Sequence, residues 1–304
     1  MKLRLGTRGS PLALAQCESV AGALTALGVQ VEVSPIRTSG DRLAHVALGD
    51  FGGKALFVKE IEEALLDGRA DVGVHSLKDV PVTLPAGLDL AAFPARQDPR
   101  DVLVTRDGGG LDALARAAVV GTSSLRRRVL LLARRPDLRV EPIRGNVETR
   151  LAKLASGVYD AIIMARAGLL RLGLAPAHAV DLPTDEFLPA AGQGVLGLEA
   201  RADDQPTLEI LGRLDDPRTR SEATAERAFL HRLGAGCHTP VAGYARRDGD
   251  QLKLTGLVAA PDASTVLRAS IDGPASAAAA LGWTLADELL ARGARALLAG
   301  GSPR

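Results

Sequence analysis

The chain has 304 residues, 46% of them hydrophobic and 24% charged, and a formal net charge of +1. This length suits two domains or three and allows a core without disulfide staples, and the composition excludes disorder and collagen-like structure. No run of about 18 apolar residues is present to span a membrane, and a near-neutral chain with 3% aromatic residues does not suit a general nucleic-acid binder.

In chain order, Leu3-Arg4-Leu5 reads as a short strand. Gly6-Thr7-Arg8-Gly9-Ser10-Pro11 follows, with Ser10 a good N-cap and Pro11 a good first helical residue. A helix is therefore predicted from Leu12 to Leu27, stopped by Gly28. Val29 to Ile36 alternates as a strand, and Phe57 to Leu66 is an amphipathic helix. Ala70 to Val74 is a buried-type strand that runs into His75-Ser76-Leu77-Lys78-Asp79. A similar order recurs. Ala118-Val119-Val120 is a strand before Gly121-Thr122-Ser123-Ser124 and a helix; strand Arg139 to Ile143, helix Val147 to Ala155 and strand Ala161 to Met164 follow.

Three local echoes support a duplication: Gly6-Thr7 with Gly121-Thr122, Pro35-Ile36-Arg37 with Pro142-Ile143-Arg144, and Leu66 to Asp71 with Ala155 to Asp160. They predict two related α/β domains with parallel or mixed sheets, facing each other across a cleft. Gly192-Gln193-Gly194-Val195-Leu196-Gly197 follows no strand, so it reads as a crossover or hinge and not as a phosphate loop. The last third predicts a small α+β domain. It has a helix from Ser221 to Leu233, strands Val241 to Ala245, Gln251 to Val258 and Thr265 to Ser270, and a closing helix from Ala277 to Arg292. Asp248-Gly249-Asp250 and Pro261-Asp262-Ala263 are the turns.

Met1-Lys2-Leu3-Arg4-Leu5-Gly6 has no apolar signal segment, so a cytoplasmic location is expected. Two cysteines cannot build a disulfide framework. Cys17 sits within a predicted helix, as an inert core thiol does. Cys237 lies in a Gly-rich loop, where a nucleophile or covalent attachment point is one reading. Five scattered histidines do not form a zinc pattern.

The basic residues are 31 arginines and six lysines. Coding bias explains such an excess as well as function does, so position decides. Ligands in open α/β sheets bind beyond the carboxyl ends of strands, where helix N-termini attract anions. Arg8 lies at one such junction, Arg126, Arg127 and Arg128 open the helix after Ser124, and Arg144 follows a strand end with Arg150 six residues on. Cations in a first helical turn oppose the dipole, so an offsetting anion is expected at Arg126 and Arg127. A solvated face is the alternative. Gly121-Thr122-Ser123-Ser124 lacks the Gly-Lys-Ser/Thr ending of a nucleotide loop, which leaves a ligand with several carboxylates. Pro81 holds Val80 extended, which places Asp79 at the sheet rim as a general acid/base, a stabiliser of a developing cation, or a plain surface partner of Lys78.

Together these stretches resemble the hydroxymethylbilane synthase (porphobilinogen deaminase) family. The matching segments are Gly6 to Leu14, Gly52-Gly53-Lys54 to Glu60, Val74-His75-Ser76-Leu77-Lys78-Asp79-Val80-Pro81, Gly121 to Arg127, Arg144-Gly145-Asn146-Val147 and Gly236-Cys237, collinear over nearly the whole chain. The resemblance implies two similar α/β domains of the type II periplasmic-binding-protein kind, residues 1–95 with 194–215 and residues 96–193. It adds a small C-terminal α+β domain, residues 216–304. It implies a monomeric transferase that deaminates four porphobilinogen molecules and joins them head to tail on a dipyrromethane primer, then releases linear hydroxymethylbilane with water. Cys237 matches the thioether attachment position and Asp79 the catalytic aspartate, which assists loss of ammonia and stabilises the cationic azafulvene. Arg8, Ser10 and Arg144 match substrate positions. Lys78, Thr122, Ser124, Arg126, Arg127, Arg150 and Arg171 match positions for cofactor and growing-chain carboxylates. Asp50 stands where many members have a lysine, which makes Lys54 the nearer cofactor contact, and Leu77 replaces a common methionine. A clamshell anion receptor would share the two-domain frame and the arginines, but it leaves Cys237 without a role.

Overall fold

The computed structural model describes residues 1–36, 58–236 and 239–299. The chain packs as two units, Met1–Gln97 with Gly194–Arg220, and Asp98–Gln193 with the chain from Ser221 onward. The first repeat runs β1 (Lys2–Arg8), α1 (Pro11–Ala26), β2 (Gln30–Ile36), α2 (Lys59–Leu66), β3 (Val72–Ser76), a 3-10 turn (Leu77–Asp79) and β4 (Leu88–Ala92). It then delivers β5 (Asp101–Thr105) to the second unit. The second repeat runs β6 (Val119–Gly121), α3 (Leu125–Arg134), β7 (Arg139–Glu141), α4 (Val147–Ala155), β8 (Ala161–Ala165), α5 (Arg166–Arg171) and β9 (Ala179–Leu182). It then returns β10 (Leu196–Arg201) to the first unit.

The sheet orders are β2-β1-β3-β10-β4 and β7-β6-β8-β5-β9. Both have one plan. β1 and β6, second in each order, run parallel to both neighbours, and the strand lent by the other repeat lies antiparallel between its two partners. The duplication read from the local echoes is repeated in individual bonds. Asp71 accepts the Arg4 N–H at 2.9 Å and gives its own N–H to the Arg4 carbonyl; Asp160 accepts the Val119 N–H at 2.8 Å and does the same in return. Ser10 and Ser124 cap α1 and α3 alike, accepting from Ala13 and Arg127 backbone N–H groups. The offset of 89 residues that relates Asp71 to Asp160 carries through β3 and β8.

The strands that chain order alone did not show are β4, β5, β9 and β10. Gly192 (φ +74°) and Gly194 (φ +87°) turn the chain, as a crossover needs, but Gly197 already belongs to β10. A Cβ there would meet Leu90 at 2.9 Å, so this glycine marks close packing and not a hinge. The strand expected at Ala70 to Val74 lies two residues later, because Ala70 is still tied to the end of α2 through its N–H to the Ala64 carbonyl. His75 and Ser76 are therefore strand residues.

From Ser221 the second unit adds most of α7 (Pro217–Leu233), β11 (Val241–Asp248), β12 (Gln251–Ala259), β13 (Val266–Pro274), α8 (Ala278–Ala291) and α9 (Ala294–Ala299); α6 (Gln205–Gly212) belongs to the first unit. The three strands form an antiparallel sheet with a two-residue turn at Gly249-Asp250. Phe229 fills its core against Gly256, where a Cβ would come within 2.5 Å of the ring. The fully buried Glu226 accepts the Gly192 and Ala245 N–H groups at 2.6 and 2.8 Å, joining the end of the second repeat to β11. Among the described residues no helix is long and apolar enough to cross a membrane.

Candidate functional site

In the first unit β1 and β3 are paired in parallel, so their carboxyl ends lie side by side. Arg8 closes β1, Ser10 caps α1, and Lys78 and Asp79 occupy the 3-10 turn beyond β3. Arg8, Ser10 and Asp79 line one cavity of about 70 Å³, with Gln16, His75 and Ser76 in its wall. Gln16 donates to Ser76 Oγ at 2.8 Å, which ties α1 to the last residue of β3. Val80 is extended, as Pro81 demands, and Asp79 is exposed at the rim while Lys78 is half-buried.

Beneath this rim lies a buried polar cluster that the sequence reading did not single out. His75 Nε2 is 3.0 Å from Glu199 Oε2, and both side chains are almost wholly buried. The ladder explains how two such groups fit there. His75 stands opposite Gly197 and Glu199 opposite Gly73, so each polar side chain faces a glycine and the two meet on the diagonal. A Cβ on Gly73 would lie 2.6 Å from His75 Nε2. Glu62 on α2 completes the cluster. Burial first, and then the Glu199 charge, push its pKa up to about 7, against the lowering pull of His75.

In the second unit Thr122 is buried, and Ser124 is half-buried as the cap of α3. Arg126 and Arg127 are not surface cations; they are 4% and 7% exposed. The anion that offsets them is the fully buried Asp101 at the start of β5. Arg126 Nη1 donates to Asp101 Oδ2 at 2.7 Å and to the Leu188 carbonyl at 2.8 Å. Arg127 donates to Asp101 Oδ1 through Nε and Nη2 at 3.0 and 2.7 Å, and to the Ile163 carbonyl through Nη1. Gln193 Nε2 adds a bond to Asp101 at 3.1 Å. Burial alone would raise the Asp101 pKa, but the two guanidinium groups outweigh it and hold the carboxyl well below its usual range. Arg126 Nε is buried without a hydrogen-bond partner.

Arg144 and Arg150 are half-buried at either side of the α4 N-terminus. Arg150 Nε donates to the Gly145 carbonyl at 2.9 Å, and Lys153 Nζ to the Arg144 carbonyl at 3.0 Å. Gly145 turns here at φ +111°, where a Cβ would strike Thr149. Arg171 ends α5, and burial lowers its pKa to about 10. Cys17 is buried in α1, its thiol pushed up to about 12 by burial. Cys237, Lys54 and Asp50 lie outside the described residues.

Asp101, His75, Glu199 and Glu62 are buried titratable residues that the sequence analysis did not pick out. For Asp101 and Glu199 a signal was present: a single carboxylate bordering or interrupting an apolar run, as in Asp101-Val102-Leu103-Val104 and Val195-Leu196-Gly197-Leu198-Glu199-Ala200.

Residues 3–209 match the family model described as porphobilinogen deaminase, dipyromethane cofactor binding domain, and residues 221–291 match porphobilinogen deaminase, C-terminal domain. Among solved structures the chain is similar to YhfZ from Shigella flexneri, with 19% identity, 74% of this chain and 93% of that one covered, and a TM-score of 0.38. It is also similar to the VFT2 domain of BvgS from Bordetella pertussis, with 17% identity, coverage of 70% and 85%, and a TM-score of 0.41. A periplasmic binding protein of an ABC transporter from Brucella ovis, with glutathione bound, shows 18% identity, coverage of 77% and 70%, and a TM-score of 0.43. With both family domains matched in order along the sequence, the chain belongs to the porphobilinogen deaminase family, transferases with a dipyrromethane cofactor.

Proposed function

We propose that the protein is a hydroxymethylbilane synthase that deaminates four porphobilinogen molecules and joins them head to tail, releasing linear hydroxymethylbilane. The observation that carries this reading is the shared cavity of Arg8, Ser10 and Asp79 at the carboxyl edge of the first sheet, in a chain of this family. Each porphobilinogen carries an acetate, a propionate, a pyrrole N–H and an aminomethyl group. Arg8 and Arg144 suit the carboxylates, which a guanidinium grips with two parallel hydrogen bonds. Asp79 suits the opposite charge. Its carboxyl protonates the departing amine and its carboxylate then faces the cationic carbon left behind. Ser10 supplies a hydroxyl at the same edge.

The donor set of the second unit fits a cofactor rich in carboxylates. It offers the Thr122 and Ser124 hydroxyls, the first turn of α3, the Arg144, Arg150 and Arg171 guanidiniums, and the buried Arg126 Nε that lacks a partner. Arg126 and Arg127 contribute from a fixed position, since Asp101 already orients them. Lys78 of the first unit and Lys54 are further partners for cofactor carboxylates, and Cys237 of the C-terminal domain is the thioether anchor. When bound, the dipyrromethane supplies the pyrrole carbon from which the chain grows. The protein works as a monomer in the cytoplasm, with domains at 1–95 plus 194–215, 96–193 and 216–304.

An intact-mass measurement tests the anchor: the purified chain should carry two pyrrole units, lost on Cys237→Ser. An unmodified mass in an active preparation rejects the thioether. Asp79→Asn should keep its fold and primer, because the side chain is exposed, while turnover falls about 100-fold or more. Near-normal ammonia release would remove Asp79 from catalysis.

A further inference from the structure

Four residues before Asp79, the sheet carries a buried cluster of two carboxylates and an imidazole that its sister sheet does without. The registers allow a place-by-place comparison. His75 corresponds to Met164, Gly73 to Ile162, Gly197 to Val102 and Glu199 to Val104. On the flanking helix the same offset relates Glu62 to Leu151. In the second sheet Val102, Val104, Ile162 and Met164 form a closed apolar core, with Leu151 packed against it. The architecture therefore holds without any charge at these places. Burying an ion cluster is commonly no better for stability than apolar packing of the same volume. In the first unit Gly73 makes room for His75 and gives up side-chain packing to do so, while Gly197, opposite His75, clears space for Leu90 and Leu77.

What the first sheet has and the second lacks is the rim above this cluster. The second repeat has Gly168, inside α5, at the place of Asp79. His75 is one residue from the end of β3 and lines the same cavity as Asp79, Arg8 and Ser10. The charges around it stand on separate elements: Glu199, 3.0 Å away, on the lent strand β10, and Glu62 on α2, which feels the imidazole electrostatically. The other charges facing Glu62 are Glu63 on its own helix and, through the imidazole, His75 on β3. Burial, and then the Glu199 charge, raise the Glu62 pKa to about 7.

We infer that His75, held between Glu199 and Glu62, is a positioning residue for the deaminase site, fixing the end of β3 so that Asp79 meets the aminomethyl group of the substrate. The inference rests on the proposed porphobilinogen deaminase activity. His75 touches no reacting atom in this scheme; it acts through the Ser76–Asp79 backbone.

The test borrows residues from the second sheet. A triple variant, E62L/H75M/E199V, is made in the full chain with wild type and Asp79→Asn alongside. Unfolding midpoint, covalent primer mass, kcat and KM for porphobilinogen are measured on each. The expected result is a folded, primed protein with an unfolding midpoint at or above wild type, KM within about threefold, and kcat lower by about 30-fold. If that variant does not fold, Glu199→Gln answers the same question, since it keeps the shape and removes the charge. It should lower kcat about tenfold with midpoint and KM unchanged. A folded variant of either kind with kcat within twofold of wild type overturns the inference, as does a kcat loss that only parallels a fall in stability. An active wild type and a dead Asp79→Asn beside a fully active triple variant would sink the inference alone. A wild type that releases no ammonia from porphobilinogen sinks the activity and the inference together.

Discussion

The two five-stranded sheets have one strand order and opposite interiors. At the start of β5 the second sheet buries Asp101 against Arg126 and Arg127, while the first has Leu196 at that register. Counted from the capping serines Ser10 and Ser124, the places of Arg126 and Arg127 are held in the first unit by Leu12 and Ala13. On the other face the pattern inverts, with His75, Glu199 and Glu62 in the first unit and Met164, Val104 and Leu151 in the second. Each half thus serves as an apolar control for the other, and neither buried ion cluster is a requirement of the fold. In the function proposed above, each half would handle a different part of the chemistry: deamination at the Asp79 rim of one, carboxylate binding at the α3 end of the other.

The harshest way to break this symmetry is Asp101→Leu, which leaves two buried guanidinium groups without their anion. It should cost about 3–5 kcal/mol in urea unfolding. The triple change D101L/R126L/R127A, which writes the first unit's residues into the second, should recover most of that loss. A failure to recover would mean the cluster is structural after all.

The two clusters should also respond to pH with opposite signs. Glu62 is raised when folded, to about 7. The folded state therefore keeps a proton that the unfolded chain has released above about pH 4.5, and stability falls as pH rises from there to 7. Glu62→Gln removes this slope, so its advantage over wild type in thermal unfolding should grow to roughly 2–3 kcal/mol by pH 7. Asp101 is depressed when folded. Its contribution is present above its unfolded value near pH 4 and is lost as pH falls through its lower folded value. A wild-type curve in which both slopes have the same sign would refute the assignment.

A smaller effect is expected from Gly73→Ala. Its methyl would displace His75, at about 1.5 kcal/mol, and kcat should fall with it. Smallest of all, Ser10→Ala and Ser124→Ala should each cost about 1 kcal/mol of stability through the lost helix cap. Equal values would show that the two junctions remain equivalent despite their different loads.

The junctions were readable because their information is local. Ser10, Pro11 and Ser124 specify helix starts within four residues, and Pro81 alone places Asp79 at the rim. The duplication was readable for the same reason, in short echoes such as Gly6-Thr7 and Gly121-Thr122. β5 and β10 were not readable, since both are short, buried on both faces, and paired with strands far away in sequence, as Leu196 is with Ser76. The buried clusters inherit this difficulty. A helix-dipole argument showed that Arg126 and Arg127 need an anion, but only the lent strand reveals that Asp101 already supplies one.

The lending of strands also imposes a timetable on synthesis. β4 has no neighbour in its sheet other than β10, which is translated roughly 100 residues later, an interval of roughly 5–20 s at ordinary elongation rates. During that interval His75 and Glu62 have been made and Glu199 has not. The second sheet waits for nothing, because β5 leaves the ribosome before β8 and β9 arrive to flank it. The sheet begun first is the later of the two five-stranded sheets to be completed, and the strand beside β3 and its Asp79 rim arrives only after β9 has closed the other.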